Sequence, residues 1–218
     1  LKQAGLSFRR QERSLFARAG EMPIDITFLR TDDIPVLCAE GAIDMGITRF
    51  SPTGNSRIYS TYIGGVGEDL PHSLIADAQG NLVVLGRTTS SDYPITPGGN
   101  FGARGGTDIV ITKLNAAGTA LIGSVIIGGT GTDGANIDPA ISPTCNSLLY
   151  NYGDNARSEV ILDAAGNVYI AASTTSTDFP ILGGVQAAKG GAQDAVILKL
   201  TPTLNAVLFS TYLGGTAD

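Results

Sequence analysis

Apolar positions in this chain fall in short runs separated by turns that carry glycine. Leu74–Asp77 and Leu82–Gly86 flank Ala78-Gln79-Gly80-Asn81. In that turn glycine supplies φ > 0 and Asp77 can bond the turn's own backbone. Asp108–Leu114 and Ala120–Ile127 flank a turn of the same kind at Asn115-Ala116-Ala117-Gly118. These runs are rich in Val and Ile and too short for helices, so they predict strands. The plan returns at Val160–Asp163, Val168–Ala172, Asp194–Leu200 and Ala206–Leu213, with Arg57–Ile63 as a leading strand.

The recurrence is one of residues as well as pattern. Ser60-Thr61-Tyr62-Ile63-Gly64-Gly65 returns as Ser210-Thr211-Tyr212-Leu213-Gly214-Gly215, and more weakly from Ser124 to Gly129. Asp77, Thr88 and Asp108 open segments that return at Asp163, Thr174 and Asp194, all 86 residues on. From Ser60 to Ser124 the step is only 64, and the extra 22 residues fall between Gly129 and Asp163. This predicts unit 1 at about 60–123 and unit 2 at about 124–209, with an insertion at 139–157. Four antiparallel strands per unit, with a face that cannot bury itself alone, predict propeller-type blades: two of them plus one spare strand.

Residues 1–50 read differently. Ile24, Ile26 and Phe28 alternate on one face, as in a strand. Thr31-Asp32-Asp33 offers N-cap residues, Pro35 sits in a first turn, and Ile34, Leu37 and Cys38 form a stripe that Gly41 can end. A second strand at Ile43–Ile47 completes a β-α-β segment too small to hold a core alone. The expected fold is therefore mainly β, preceded by a short α/β segment at 1–50, with the β-repeats at 51–218.

Composition follows the same division. Glycine makes up 29 of 218 residues, about 13% against a usual ~7%, and only four of the 29 lie before residue 51. Residues 1–50 carry seven Lys/Arg and seven Asp/Glu; the remainder carries seven and thirteen, which accounts for the net charge of −6. An acidic, aromatic-poor body has no electrostatic reason to bind nucleic acid or an anionic membrane. No apolar run approaches the ~20 residues of a membrane span. Among Arg9, Arg10, Arg13 and Arg18 stand Glu12 and Glu21, the pattern of a solvated helix face.

Little of the remaining chemistry points to catalysis. His72 is the single histidine, and Asp69 and Ser73 stand too near it in sequence to present a triad. Cys38 and Cys145 read as free thiols. Asp77 and Asp163, and Asp92 and Asp178 before Tyr/Phe-Pro, read as turn anchors rather than metal ligands. Gly64-Gly65-Val66-Gly67 has no following Lys-Ser/Thr, so a strand-end turn is expected in place of a phosphate loop. Tyr150, Tyr152 and Asp154, in the insertion, are the candidates for a recognition loop.

Two resemblances follow from these motifs. Residues 51–218 resemble bacterial β-propeller repeats with the signature S-T-Y-L-G-G … D-x-x-G-N-V-Y … T-x-S-x-D-F-P … D-A-x-x-x-K-L. The resemblance implies secreted or cell-surface origin and no assigned catalytic activity. The run Phe28-Leu29-Arg30-x-x-Asp33-Ile34-Pro35, then Gly41-Ala42-x-Asp44-x-Gly46-Ile47-Thr48, is similar to ATP phosphoribosyltransferase of histidine biosynthesis. It implies cytoplasmic origin for residues 1–48, with Asp32, Asp33, Gly46 and Thr48 as remnants of a nucleotide site. That family's glycine loop ends here in Arg49, and its phosphoribosyl-diphosphate loop has no counterpart. The expected protein is a chimera, engineered or shuffled, that is structural or recognition-type and not an enzyme. It needs no cofactor and forms homo-oligomers through open blade faces. The alternatives are a nucleotide-binding remnant and a surface or adhesion module.

Overall fold

Short apolar runs, punctuated by glycine turns, form the strands of the described residues. The computed structural model describes residues 16–18, 25–27, 46–134 and 158–216. The strands are β1 (Phe16–Arg18), β2 (Asp25–Thr27), β3 (Gly46–Phe50), β4 (Arg57–Tyr62), β5 (Asp69–Ala76), β6 (Leu82–Thr88), β7 (Asn100–Gly102), β8 (Asp108–Leu114), β9 (Leu121–Gly128), β10 (Glu159–Leu162), β11 (Val168–Thr174), β12 (Asp194–Leu200) and β13 (Val207–Leu213). No helix occurs among the described residues, and the helix expected at 31–41 lies outside them. The chain divides into two units, 1–62 and 63–218.

In the first unit β1 pairs antiparallel with β2, and β3 pairs antiparallel with β4. The leading strand expected at 57–63 is therefore one arm of a hairpin. Its other arm is β3, which coincides with the strand expected at 43–47 at Gly46 and Ile47 and runs on to Phe50, residues 43–45 lying outside the described residues. Ile47 faces Thr61 and Thr48 faces Ser60, and the register slips once, between Arg49 and Phe50. Ile47 is buried, whereas Gly46, Thr48, Phe50, Arg57, Ser60 and Tyr62 are exposed.

The second unit holds two sheets. One has the order β5-β6-β8-β9-β7, with the short β7 parallel to β9; the other is the antiparallel run β10-β11-β12-β13. The β8–β9 and β12–β13 pairs repeat the register of the β3–β4 hairpin. Thr112 faces Ser124 and Leu198 faces Ser210, with the same slip before Leu114 and before Leu200. The core lies between the two sheets. Val83, Leu85, Ile109, Ile111, Val125 and Ile127 of the first meet Val160, Val168, Ile170, Val196, Leu198 and Tyr212 of the second. Burial of these side chains is the main term holding the sheets together.

One turn locks that stack. In the Thr201–Ala206 turn Leu204 takes φ +60, a conformation that glycine holds in the matching turns at Gly54 and Gly118. Leu204 is fully buried, and a Cβ at Gly123 would run into Thr203 O and the Leu204 side chain. Glycine at 123 is thus the socket that admits Leu204. Leu204→Gly should lose about 3 kcal/mol of burial and regain about 1 kcal/mol of backbone strain. A urea titration is expected to show a net loss near 2 kcal/mol; a gain would mean that strain outweighs packing.

The inserted residues enter at a weak point in the pairing. Strand β5 carries a register slip between Pro71 and Ser73, at His72. In the second sheet Asp133 bridges Thr174 and Gly134 N–H donates to Ser173 O, and pairing with β11 resumes at Glu159. The extra length of the second repeat therefore leaves the first strand where the first repeat has its bulge, a position at which ladder hydrogen bonds are already interrupted.

Candidate functional site

In the second unit, side-chain oxygens gather on the backbone of the loops that follow Gly64-Gly65 and Gly128-Gly129. In the loop Gly65–Glu68 four consecutive backbone N–H groups each donate to a side-chain oxygen. Gly65 N–H reaches Asp69 Oδ2 (2.7 Å), Val66 N–H reaches Asp92 Oδ1 (2.8 Å), Gly67 N–H reaches Ser90 Oγ (2.8 Å) and Glu68 N–H reaches Thr89 Oγ1 (2.8 Å). Thr88 and Ser90 hydroxyls donate to the two Asp69 oxygens. Successive N–H groups on a glycine-rich turn form an anion-binding concavity. Here the anions are the protein's own carboxylates, so the expected strand-end turn is present but is fastened from outside itself.

The next loop repeats the clasp bond for bond. Gly129, Thr130, Gly131 and Thr132 N–H donate to Asp133 Oδ2, Asp178 Oδ1, Ser176 Oγ and Thr175 Oγ1, at 2.8, 2.8, 2.9 and 2.8 Å. Thr174 and Ser176 hydroxyls donate to Asp133. This copy is buried: Asp133, Thr174 and Ser176 are all within 1% of complete burial. Burial pushes the Asp133 carboxyl up, against the bonds from Thr174, Gly129 and Ser176, and the nearby Asp108 charge pushes the same way. The exposed Asp178 carboxyl is held below its usual range, chiefly by Thr130 N–H. Only glycine fits the close approach, since a Cβ at Gly129 would strike Asp178 and Ser176. The third Gly-Gly loop differs: Gly214 N–H donates to Gln186 Oε1 (3.1 Å), and a Cβ at Gly215 would meet nothing within 4 Å.

A second polar group joins the two sheets. His72 Nδ1 and Ser158 Oγ are 2.7 Å apart, and Ser73 Oγ donates to Glu159 Oε2 (3.1 Å). Burial, and then the Arg87 charge, lowers the His72 pKa to about 3, so the ring is neutral. Lys113, also buried, pairs with Asp77 Oδ2 (2.9 Å) and donates to Pro202 O (3.0 Å) in the opposite sheet. Burial works to raise the Asp77 carboxyl, but the Asn81 amide and the Lys113 ammonium outweigh it and hold the pKa at about 2. Asp163 makes the same turn with Asn167 and Lys199 at the surface.

The residues named from sequence are dispersed. Asp77 and Asp163 accept from the N–H groups of their own turns. Asp92 and Asp178 anchor instead the loops 26 and 48 residues upstream. His72 does not meet Asp69 or Ser73 as partners; it meets Ser158. Gly46 and Thr48 lie in β3, where the Thr48 and Ser60 hydroxyls are 2.9 Å apart. Asp32, Asp33, Tyr150, Tyr152, Asp154, Cys38 and Cys145 lie outside the described residues. Sequence alone does not single out the hydroxyls of Thr88, Ser90, Thr174 and Ser176 as partners of Asp69 and Asp133. Their T-x-S-x-D spacing, repeated after the second strand of each unit, was the available signal.

Comparison with known proteins finds a short match. A 48-residue segment is 79% identical to ATP phosphoribosyltransferase of Rhodopirellula baltica. That segment is 22% of this chain and 16% of the enzyme's length. The chain thus spans a small part of the curated relative it matches. No protein-family profile matches the chain.

Proposed function

We propose that this protein is a non-enzymatic β-repeat module, structural or recognition-type, that acts by associating with copies of itself. In this reading its two sheets are propeller-type blades and the Gly-Gly loops are the joints between successive blades. The observation that carries the reading is the pair of clasps. Their backbone donors and their carboxylates satisfy one another, so the polar chemistry of the loops closes the chain on itself. Large apolar side chains are meanwhile left in water: Phe50, Tyr62, Leu74, Ile161 and Leu213 are all more than half exposed. Exposed apolar faces on sheets with free edges favour association. Light scattering on a sizing column tests this, with a sharp multiple of 22.4 kDa expected. A monomer at about 100 μM would remove it.

The 48-residue identity supports a second reading, in which the first part of the chain keeps nucleotide-binding character from ATP phosphoribosyltransferase. Beside the repeats of residues 51–218, that identity also supports a chimeric origin. Calorimetry separates the two functional readings. Heat of ATP binding would favour the remnant, and a flat titration at millimolar ATP would dismiss it.

A further inference from the structure

The contact between the two sheets of the second unit has a donor face and an acceptor face, and register locates a bare version of each elsewhere in the chain. The first sheet presents Ile109, Ile111, Lys113, Gly123, Val125 and Ile127 to the second. The positions matching these in the second sheet are Ala195, Ile197, Lys199, Phe209, Thr211 and Leu213, which share one face by their strand pairing. That face is the outer one. Leu213 and Ile161 on it are exposed, Ala195, Ile197, Lys199 and Phe209 are only partly covered, and Thr211 is buried where Gln186 N–H donates to its hydroxyl.

The complementary face of the second sheet, through Val196, Leu198, Leu200, Val207, Ser210 and Tyr212, packs on the first. In the β3–β4 hairpin the same register positions are Gly46, Thr48, Phe50, Arg57, Ser60 and Tyr62. All six are exposed. The turns correspond as well. Thr201-Pro202-Thr203-Leu204-Asn205-Ala206 and Ser51-Pro52-Thr53-Gly54-Asn55-Ser56 share Pro, Thr and Asn, and in both a leading hydroxyl donates to the Asn side chain, at 2.6 and 2.9 Å. In the buried turn Pro202 O accepts from Lys113, and Leu204 fills the space at Gly123. In the exposed turn glycine stands where Leu204 does. On the outer face Phe209 stands where Gly123 does, with Lys199 at the position of Lys113. Large meets small in either case.

Resting on the self-association proposed above, we infer that copies join head to tail. The β3–β4 face and 51–56 turn of one copy seat on the β12–β13 face of the next. There the Pro52 carbonyl accepts from Lys199, and Gly54 makes room for Phe209. Such an interface is heterologous, using two different patches, so each copy keeps one of each for a further partner until a ring closes.

Blocking one patch at a time tests this. Tyr62→Asp removes the hairpin face and Phe209→Asp removes the sheet face. Each variant alone is expected at 22.4 kDa by light scattering, with the circular-dichroism spectrum and thermal midpoint of the parent. Their equimolar mixture is expected to give a dimer of twice that mass, because each supplies the patch the other lacks. A parent chain that is oligomeric while both variants keep its mass would overturn this interface but leave self-association standing. Variants that stay monomeric when mixed, with folding intact, would overturn the head-to-tail arrangement. A monomeric parent would overturn both proposals.

Discussion

Asp133→Ala is expected to destabilise the protein by roughly 3–5 kcal/mol, the usual cost of stripping one member from a buried charged network. The Asp133 oxygens accept from Gly129 N–H and from the Thr174 and Ser176 hydroxyls, all in a site closed to water. Alanine would leave those three donors buried without an acceptor. Total stabilities of natural domains are only about 5–15 kcal/mol, so the change should be plain as a shift in urea midpoint. Asp69→Ala, in the more open copy of the same clasp, should shift the midpoint much less, because water can replace the lost carboxylate. Equal effects at the two sites would show that burial does not set the strength of the clasp.

Acid should weaken the fold from about pH 6.5 downward, through His72. His72 has a pKa of about 3 in the folded chain against 6.5 as a model value. Its folded pKa is lowered, so the unfolded chain binds the proton first and stability falls as pH drops below about 6.5. At pH 4.5 the loss amounts to about 2–3 kcal/mol relative to pH 7, at about 1.4 kcal/mol per pH unit. That corresponds to roughly 5–10 °C in the thermal midpoint. The charge acting on His72 is that of Arg87 on β6, itself paired with Glu68 at 3.7 Å, while Glu159 on β10 accepts from the adjacent Ser73. Neither Asp108 nor Asp133 can produce this slope. Their pKa values are raised, so each favours the folded state as pH falls. Asp77, at about 2, contributes only below about pH 4. Melting curves between pH 7 and 4.5 for the parent and His72→Gln test the assignment. The parent midpoint should fall and the variant midpoint should not; parallel falls would place the proton elsewhere.

Strands were legible in the sequence because alternation and turn chemistry are local. The pattern has Leu82, Asp108, Val168 and Asp194 each opening a strand, and each does. The start of β5 is not legible, since Asp69, Pro71 and His72 leave Leu70 without an apolar run, and a bulge at His72 carries the strand across the break. The strand expected at 43–47 ends three residues short of Phe50, because Ile47-Thr48-Arg49 offers too short an alternation to fix its end. The clasps were hidden for another reason. Asp92 and Asp178 read as anchors of their own turns, because a single sequence displays only near neighbours. Their actual partners are the Val66 and Thr130 N–H groups, brought to them by the fold. The positions of Asp69 and Asp133 beside Thr-x-Ser were equally unreadable until the strands had been paired.

The interrupted first strand of the second sheet has a consequence for how this protein can be rebuilt. Asp133 and Gly134 on one side, and Glu159 onward on the other, each hold β11 by their own hydrogen bonds. The covalent link between those two pieces is not what pairs either of them with β11. New termini can therefore be opened there, as in a circular permutant, or a foreign peptide displayed between fixed ends. Pro71–His72 offers the matching port in the first sheet, so one molecule could carry two guests at symmetry-related addresses.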